Sequence, residues 1–272
     1  MPDLACWEVI SGADSGRVVL GVDFPTTPRR AGFTELSAMI GPHYCFLQTR
    51  PPAIRVVQSS RGESYVGRWV EGIRRESHQV QAVLGFCVGS LYAAAIAADI
   101  ARRQPMPKVI LFNPQFASAK YLAFEFLREI DAISSLLSDQ EIARTRKAAD
   151  EISDPQACGL ADAAAEMTEI YRELTSLAFE RVGIGTGYDA RFITPVCSYI
   201  SWLSAAGKID PSSVWQHSTA IVSSDYAGLA PGNRVRTGHG AIGKQIRFDV
   251  AHDDLLRSDS VARAVAGLLE SE

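Results

Sequence analysis

The stretch "QAVLGFCVGSLYAAAIAADI", from Gln81 to Ile100, decides how this chain is read. Its first part is a short apolar run of strand length. Its second part is rich in alanine, and Leu91, Ala94, Ala95 and Ala98 form a small-residue stripe at helical spacing. Between them sits Gly85-Phe86-Cys87-Val88-Gly89. Small residues two before and two after a central side chain let a strand and the following helix approach closely. The central residue is then held on a sharp turn above the strand end, where substrate can reach it. The helix N-terminus after such a turn favours a thiolate and offers N–H groups to an oxyanion. Cys87 is therefore the candidate nucleophile, and the Val88 backbone N–H a candidate oxyanion donor. A buried core thiol is the competing reading of the same five residues; the strand before them and the helix after them favour the elbow.

Working outward, the first half alternates strand-like and helix-like segments. "GRVVLGVDF" (Gly16 to Phe24), "YCFLQTR" (Tyr44 to Arg50), "QVQAVLGF" (Gln79 to Phe86) and "KVILFNP" (Lys108 to Pro114) read as strands. "FTELSAMIG", "ESYVGRWVEGIRRES" and the segment from Gly89 to about Arg103 read as helices. That rhythm implies βαβ units in a mostly parallel sheet covered on both faces. Residues 117–202 read instead as helices only: "YLAFEFLREIDAISSLL", "DQEIARTRKAADEI", "GLADAAAEMTEIYRELTSLAFERV" and "TPVCSYISWLSAAG". Strands return with "STAIVSS" and "QIRFDVA", and the chain closes on the helix "SVARAVAGLLE". The expected organisation is an α/β core over 1–116 and 203–272, with a helical lid inserted at 117–202. "GIGTGYD" (Gly183 to Asp189) has no strand before it and no Gly-Lys-Ser/Thr after it, so it reads as a loop rather than a phosphate cradle.

A nucleophile needs a base, and the base needs an orienting group. His252 follows the last expected strand, which returns the chain to the same sheet edge as the elbow. His43, His78 and His217 precede strands and fall at the other edge. His239, in "RTGHGAIG", is the rival base. Asp225 follows "STAIVSS" and is the candidate acid, giving the chain order Cys87, Asp225, His252. Asn113, at the end of the strand after the elbow, competes with it, as do Asp253 and Asp254, which more naturally belong to the final helix. A second oxyanion donor is expected from the loop after the first strand, "DFPTTPRRAGF", through Thr26 or Thr27; Pro25 has no N–H to give. Phe86, Tyr121 and Phe124 are candidate substrate contacts. The apolar residues of the insertion (Phe126, Leu127, Leu136, Leu137, Tyr171, Phe179) either line an acyl channel or pack the insertion itself.

Composition narrows the classes of function. The chain has 272 residues, 47% of them hydrophobic, and a formal net charge of −4 with no long basic block, so nucleic acid is not an expected partner. No run approaches the length of a membrane span, and "MPDLACWEVISGADSG" lacks the basic and apolar regions of a signal peptide. Five widely spaced cysteines without a Cys-x-x-Cys argue against a disulfide framework or a zinc site and fit a reducing cytoplasm.

Taken together, "VVLGVDFPTT", "SYVGRWVEGIRRESHQVQAVLGFCVGSLYAAAIAADI" and "DVAHDDLL" resemble the discrete, type II-like thioesterases of polyketide and nonribosomal peptide assembly lines, within the α/β-hydrolase superfamily. The resemblance implies an α/β-hydrolase fold and an acid at the position of Asp225. It also implies an acyl or peptidyl carrier protein as partner and no cofactor of the chain's own, the phosphopantetheine arm belonging to the carrier. This chain departs from the family in three ways: Cys87 stands where the family has serine, the first loop lacks the family's His-Pro and Gly-rich sequence, and the helical insertion is long. Cysteine changes the chemistry. Loading it from a thioester exchanges one thioester for another, and the acyl-Cys reacts readily with amines and thiols. Acyl transfer or cyclisation to a small-molecule acceptor is therefore expected beside hydrolysis. A dienelactone-hydrolase-like enzyme, which shares a Gly-x-Cys-x-Gly elbow and a Cys-Asp-His triad, is a second resemblance. A catalytically inactive hydrolase fold acting as a binding protein is the third reading.

Overall fold

The computed structural model describes residues 6–12, 16–24, 31–50, 62–74, 79–154, 159–183, 189–227 and 242–271. The chain divides into two compact units, and the described residues of the second lie within Ala117–Lys208.

The first unit is built on a seven-stranded sheet in the order β1-β3-β2-β4-β5-β6-β7. Its strands are β1 (Trp7–Ser11), β2 (Arg17–Val22), β3 (Cys45–Thr49), β4 (Gln79–Phe86), β5 (Lys108–Phe112), β6 (Thr219–Val222) and β7 (Lys244–Arg247). β1 pairs antiparallel with β3, and every other pair is parallel. From β2 the chain steps outward to β3, then crosses back to β4 and continues the other way. The order therefore reverses between β2 and β4, and the crevice beyond the strand ends opens at such a reversal.

Helices cover both faces. α1 (Phe33–Ile40) packs with α9 (Asp259–Glu270) on one side, and α2 (Gly62–Arg74) packs with α3 (Gly89–Ile100) on the other, where the short α8 (Ser212–Trp215) also meets α3. The period-2 alternation of the strands divides the core accordingly. Val19, Leu84, Phe86, Ile110 and Phe112 join Phe33, Leu36 and the Leu255–Leu256 pair in one cluster. On the α2–α3 side, Tyr65, Trp69 and Tyr92 form a group of tilted and edge-on rings with centroids 5.3–5.8 Å apart.

The second unit is helical: α4 (Ala119–Ala132), α5 (Asp139–Ile152), α6 (Leu160–Arg181) and α7 (Thr194–Ala206). The helix expected to run through Leu137 stops at Ala132 and gives way to a 3₁₀ turn at Ser134–Leu136. Ser134 Oγ donates to the Asp131 carbonyl at 2.7 Å, a side-chain bond that competes with helix continuation. α5 starts cleanly because Ser138 and Glu141 form a reciprocal capping box. Glu141 is buried and also takes two hydrogen bonds from Arg181 at the end of α6, at 2.8 and 2.6 Å. Phe126, Tyr171 and Phe179 are buried within this unit's own packing, whereas Phe124 is 58% exposed.

Candidate active site

Cys87 immediately follows β4 and takes a left-handed backbone conformation, φ 52°. For a residue with a Cβ this is strained, and neighbouring bonds hold it. The Cys87 N–H donates to the Phe112 carbonyl at 2.9 Å, and the Cys87 carbonyl accepts from Ser90 N–H at 3.1 Å and Gln115 N–H at 3.2 Å. The two flanking glycines have separate physical reasons. A Cβ on Gly85 would lie 2.6 Å from Ser90 Cα and 2.8 Å from Ala93 Cβ, so Gly85 sets the closeness of β4 to α3. A Cβ on Gly89 would collide with the Val22 carbonyl, so Gly89 lets the start of α3 lie against the end of β2. Val88 occupies the N-cap position of α3, and the Ser90 and Leu91 amides of that first turn bond the Cys87 and Val88 carbonyls at 3.1 and 3.0 Å.

The edge beyond β5 and β6 carries a polar chain. Asn113, directly after β5, is 2% exposed and also left-handed, φ 42°, a conformation asparagine tolerates better than most residues. Its Oδ1 accepts the Ser223 backbone N–H at 2.9 Å. Its Nδ2 lies 2.8 Å from Ser223 Oγ and 2.8 Å from His252 Nδ1. His252 opens a 3₁₀ turn, His252–Arg257, and the Phe86 ring packs edge-on against its imidazole with centroids 5.1 Å apart. Phe86, expected at a substrate contact, is 3% exposed and belongs to the core beneath this ring.

Asp225 meets a different part of the histidine: its carboxylate accepts the His252 backbone N–H at 3.2 Å. A hydrogen bond from Ser223 first, and that N–H next, hold the Asp225 carboxyl below its ordinary pKa against the opposing effect of burial. Asp253 and Asp254 lie in the 3₁₀ turn before α9, and Asp254 pairs with Arg257 at 2.7 Å.

Two residues of this edge carry no signal in the sequence reading. Tyr226 donates from its hydroxyl to the Pro114 carbonyl at 2.6 Å; burial and then the nearby Cys87 push its pKa well above the usual tyrosine value, with Arg247 opposing. Arg247, at the end of β7, donates to the carbonyls of Ser223, Ser224 and Tyr226 at 2.9, 3.1 and 3.3 Å and so ties down the loop that carries Asp225. Their roles depend on partners brought together by the sheet, so no local pattern announces them.

His43 is exposed in the turn before β3 and His217 is exposed just before β6. Thr26, Thr27, His78 and His239 lie outside the described residues. Tyr121 and Phe124 both sit on α4, where the Tyr121 hydroxyl donates to Glu125 at 2.8 Å. Among the described residues, no cluster of His, Cys, Asp or Glu is placed to hold a metal ion, and no helix is long and apolar enough to cross a membrane.

A mostly parallel seven-stranded sheet, helices on both faces, a strained elbow after the strand at the order reversal and a histidine after the last strand define an α/β-hydrolase fold. Solved structures agree. The Vlm2 thioesterase domain bound with a dodecadepsipeptide superposes with a TM-score of 0.52 at 15% identity, over 98% of this chain and 97% of that one. The type II thioesterase BorB from the borrelidin biosynthetic cluster gives 0.51 at 14% identity, over 100% and 98%. A four-domain nonribosomal peptide synthetase bound to AMP and glycine gives 0.60 at 9% identity over 98% of this chain, which spans 20% of that protein. At this level of identity the likeness shows the fold alone. No protein-family model matches the sequence, and no curated protein matches it significantly.

Proposed function

We propose that this protein is a thioesterase-like enzyme that takes an acyl group from a thioester, carried in the cell by an acyl or peptidyl carrier protein, onto Cys87, and passes it to an acceptor or to water. The observation that carries the reading is Cys87 itself: a cysteine held at φ 52° at the head of α3, on the sheet edge where Asn113 and Asp225 both bond His252. A core thiol has no need of that strained conformation, whereas an elbow nucleophile does. The fold it shares with the Vlm2 thioesterase domain and with BorB supports the choice of a thioester substrate. In this reading Cys87 is the nucleophile and His252 the imidazole beside it. Asn113 and Asp225 hold His252 at ring and backbone. Val88 N–H and an N–H of the loop containing Thr26 receive the oxyanion. The reaction needs no metal or cofactor bound to this chain, and a small-molecule acyl acceptor completes it.

The test is to incubate the protein with acyl-carrier and acyl-pantetheine thioesters and follow the intact mass. A single acyl adduct that peptide mapping places on Cys87, and that Cys87→Ala abolishes, is the expected result. Absence of adduct and turnover, with Cys87→Ala behaving as wild type, refutes the reading.

A further inference from the structure

The orientation of the Asn113 side-chain amide is dictated by its neighbours. A backbone N–H can only donate, so the Asn113 atom 2.9 Å from Ser223 N must be the carbonyl oxygen. The other amide atom, Nδ2, then faces the Ser223 hydroxyl oxygen, which accepts from it at 2.8 Å. Both constraints turn the NH₂ group toward His252 Nδ1, 2.8 Å away. An imidazole nitrogen facing an N–H must present its lone pair. In neutral imidazole the other nitrogen, Nε2, then carries the proton. This is the reverse of an acid-oriented histidine, which donates from Nδ1 and keeps Nε2 free to accept.

We infer that Asn113 locks His252 in the Nε2–H tautomer and thereby makes the acyl-Cys87 enzyme a transferase toward thiols and amines rather than a hydrolase. The inference rests on Cys87 being the acylated residue and His252 the imidazole beside it. Loading needs no base at Nε2. The Cys87 thiol loses its proton to solvent, and the thiolate lone pair forms the new S–C bond. The old C–S bond then breaks with its electron pair on the leaving sulfur, which takes a proton from water. An N–H donor suits that anionic route, since charge stays on sulfur and oxygen throughout. Water is different: it must lose a proton as it attacks, and general-base help there is worth on the order of 10²–10⁴-fold. A nitrogen that already carries a proton cannot give that help. A thiolate acceptor does not need it, and an amine attacks neutral and sheds its proton afterwards.

The charged groups nearby leave this arrangement in place. Asp225 bonds the His252 backbone N–H, Arg247 is engaged with three carbonyls, Asp254 is paired with Arg257, and the Tyr226 hydroxyl is donated to Pro114. Asp253, on the histidine's own turn, is exposed. From the β4 side the facing group is the uncharged Phe86 ring.

The experiment has two arms. In wild-type protein labelled with ¹⁵N-histidine, with His252 assigned by difference against His252→Gln, imidazole nitrogen shifts above pH 7 should show a bare Nδ1 and a protonated Nε2. A proton on Nδ1, or an imidazolium at that pH, overturns the inference without reference to activity. In the second arm, acyl-Cys87 is prepared from acyl-pantetheine thioester, and its decay is followed by intact mass with and without added N-acetylcysteamine. Wild type should decay mainly to the thiol, and Asn113→Asp should hydrolyse roughly 10²-fold faster or more, with the partition moving toward water. Equal hydrolysis and equal partition in the two proteins overturn the inference. Failure of both proteins to form any adduct refutes the thioesterase reading instead, while the tautomer is still decided by the first arm.

Discussion

Gly85→Ala probes the elbow with a magnitude the structure supplies. The added Cβ would stand 2.6 Å from Ser90 Cα and 2.8 Å from Ser90 N, both backbone atoms that cannot rotate away, and ordinary contact begins at 3.4 Å. The first turn of α3 must therefore retreat from β4 by about 0.8 Å, and a gap of that size forfeits roughly a quarter to a half of each dispersion contact across it. That turn carries Leu91, Tyr92 and Ala93, all at 1% exposure or less, and the Ser90 Oγ bond to the Gly85 carbonyl at 3.1 Å. The expected cost is about 3 kcal/mol, the upper part of the range for overpacking. It corresponds to a fall of roughly 6–12 °C in the melting midpoint of a protein this size. Thermal unfolding by circular dichroism measures it. Gly267→Ala is the opposed control: its Cβ meets nothing within 4 Å on the exposed side of α9, so it should stabilise by about 0.5–1 kcal/mol. Displacing the elbow also moves Cys87, and a 1 Å misplacement costs on the order of 10²-fold in reaction rate. Acylation of Cys87 in the folded Gly85→Ala protein should fall by about that factor. A midpoint within about 2 °C of wild type with unchanged acylation would show that β4 and α3 are not held at this closeness, and the reasoning about the glycine pair would fail.

Two further outcomes follow from the charges and thiols. The Asp225 carboxyl is held below its ordinary pKa, so its contribution to stability is fully present above the unfolded value near 3.9 and is lost as pH falls through the depressed folded value. Asp225→Asn should therefore flatten the dependence of the melting midpoint on pH below about 4 and leave its shape above about 5 unchanged; an unaltered acid limb would show that the Ser223 and His252 contacts do not hold the carboxylate. Burial pushes the Cys197 thiol above its usual pKa despite the Arg172 side chain, so in native protein iodoacetamide should modify Cys87 while Cys197 reacts only after denaturation. Cys197 labelling as fast as Cys87 would contradict that placement.

The parts of this molecule legible in the sequence are those decided by near neighbours. The segment 79–86 reads as a strand and 139–152 as a helix because period, length and flanking residues all lie within the segment, and the structure has β4 and α5 with those bounds. The elbow is legible because its Gly-x-Cys-x-Gly pattern is contiguous, although the backbone that Gly89 answers to, Val22, is distant in sequence. β1 is not legible: five residues, with Val9 51% exposed, become a strand only through antiparallel pairing with β3 and a bulge between Val9 and Ser11. The same limit separates the positions in the candidate site from their relations. Cys87, Asn113, Asp225 and His252 all follow strands or begin the turn after one, which a strand-by-strand reading locates. Which of Asn113 and Asp225 meets the imidazole ring depends on a contact between residues 139 apart in sequence, and on how Ser223 turns one amide.

That last dependence bears on why this chain carries both an unusual nucleophile and an unusual orienting residue. A serine in place of Cys87 would need its proton removed before it could attack, because a hydroxyl is scarcely ionised near neutral pH, and an Nε2–H imidazole could not remove it. A cysteine ionises unaided within a few units of neutrality. Asn113 is therefore tolerable beside Cys87 and would be disabling beside serine. The Ser223 N–H that orients the Asn113 amide would equally serve an aspartate oxygen at that position. Asparagine rather than aspartate at position 113 thus acts on the proton at His252. The thiol and the amide are best understood as one coupled choice, in which the base is given up at the ring and the nucleophile is one that does without it.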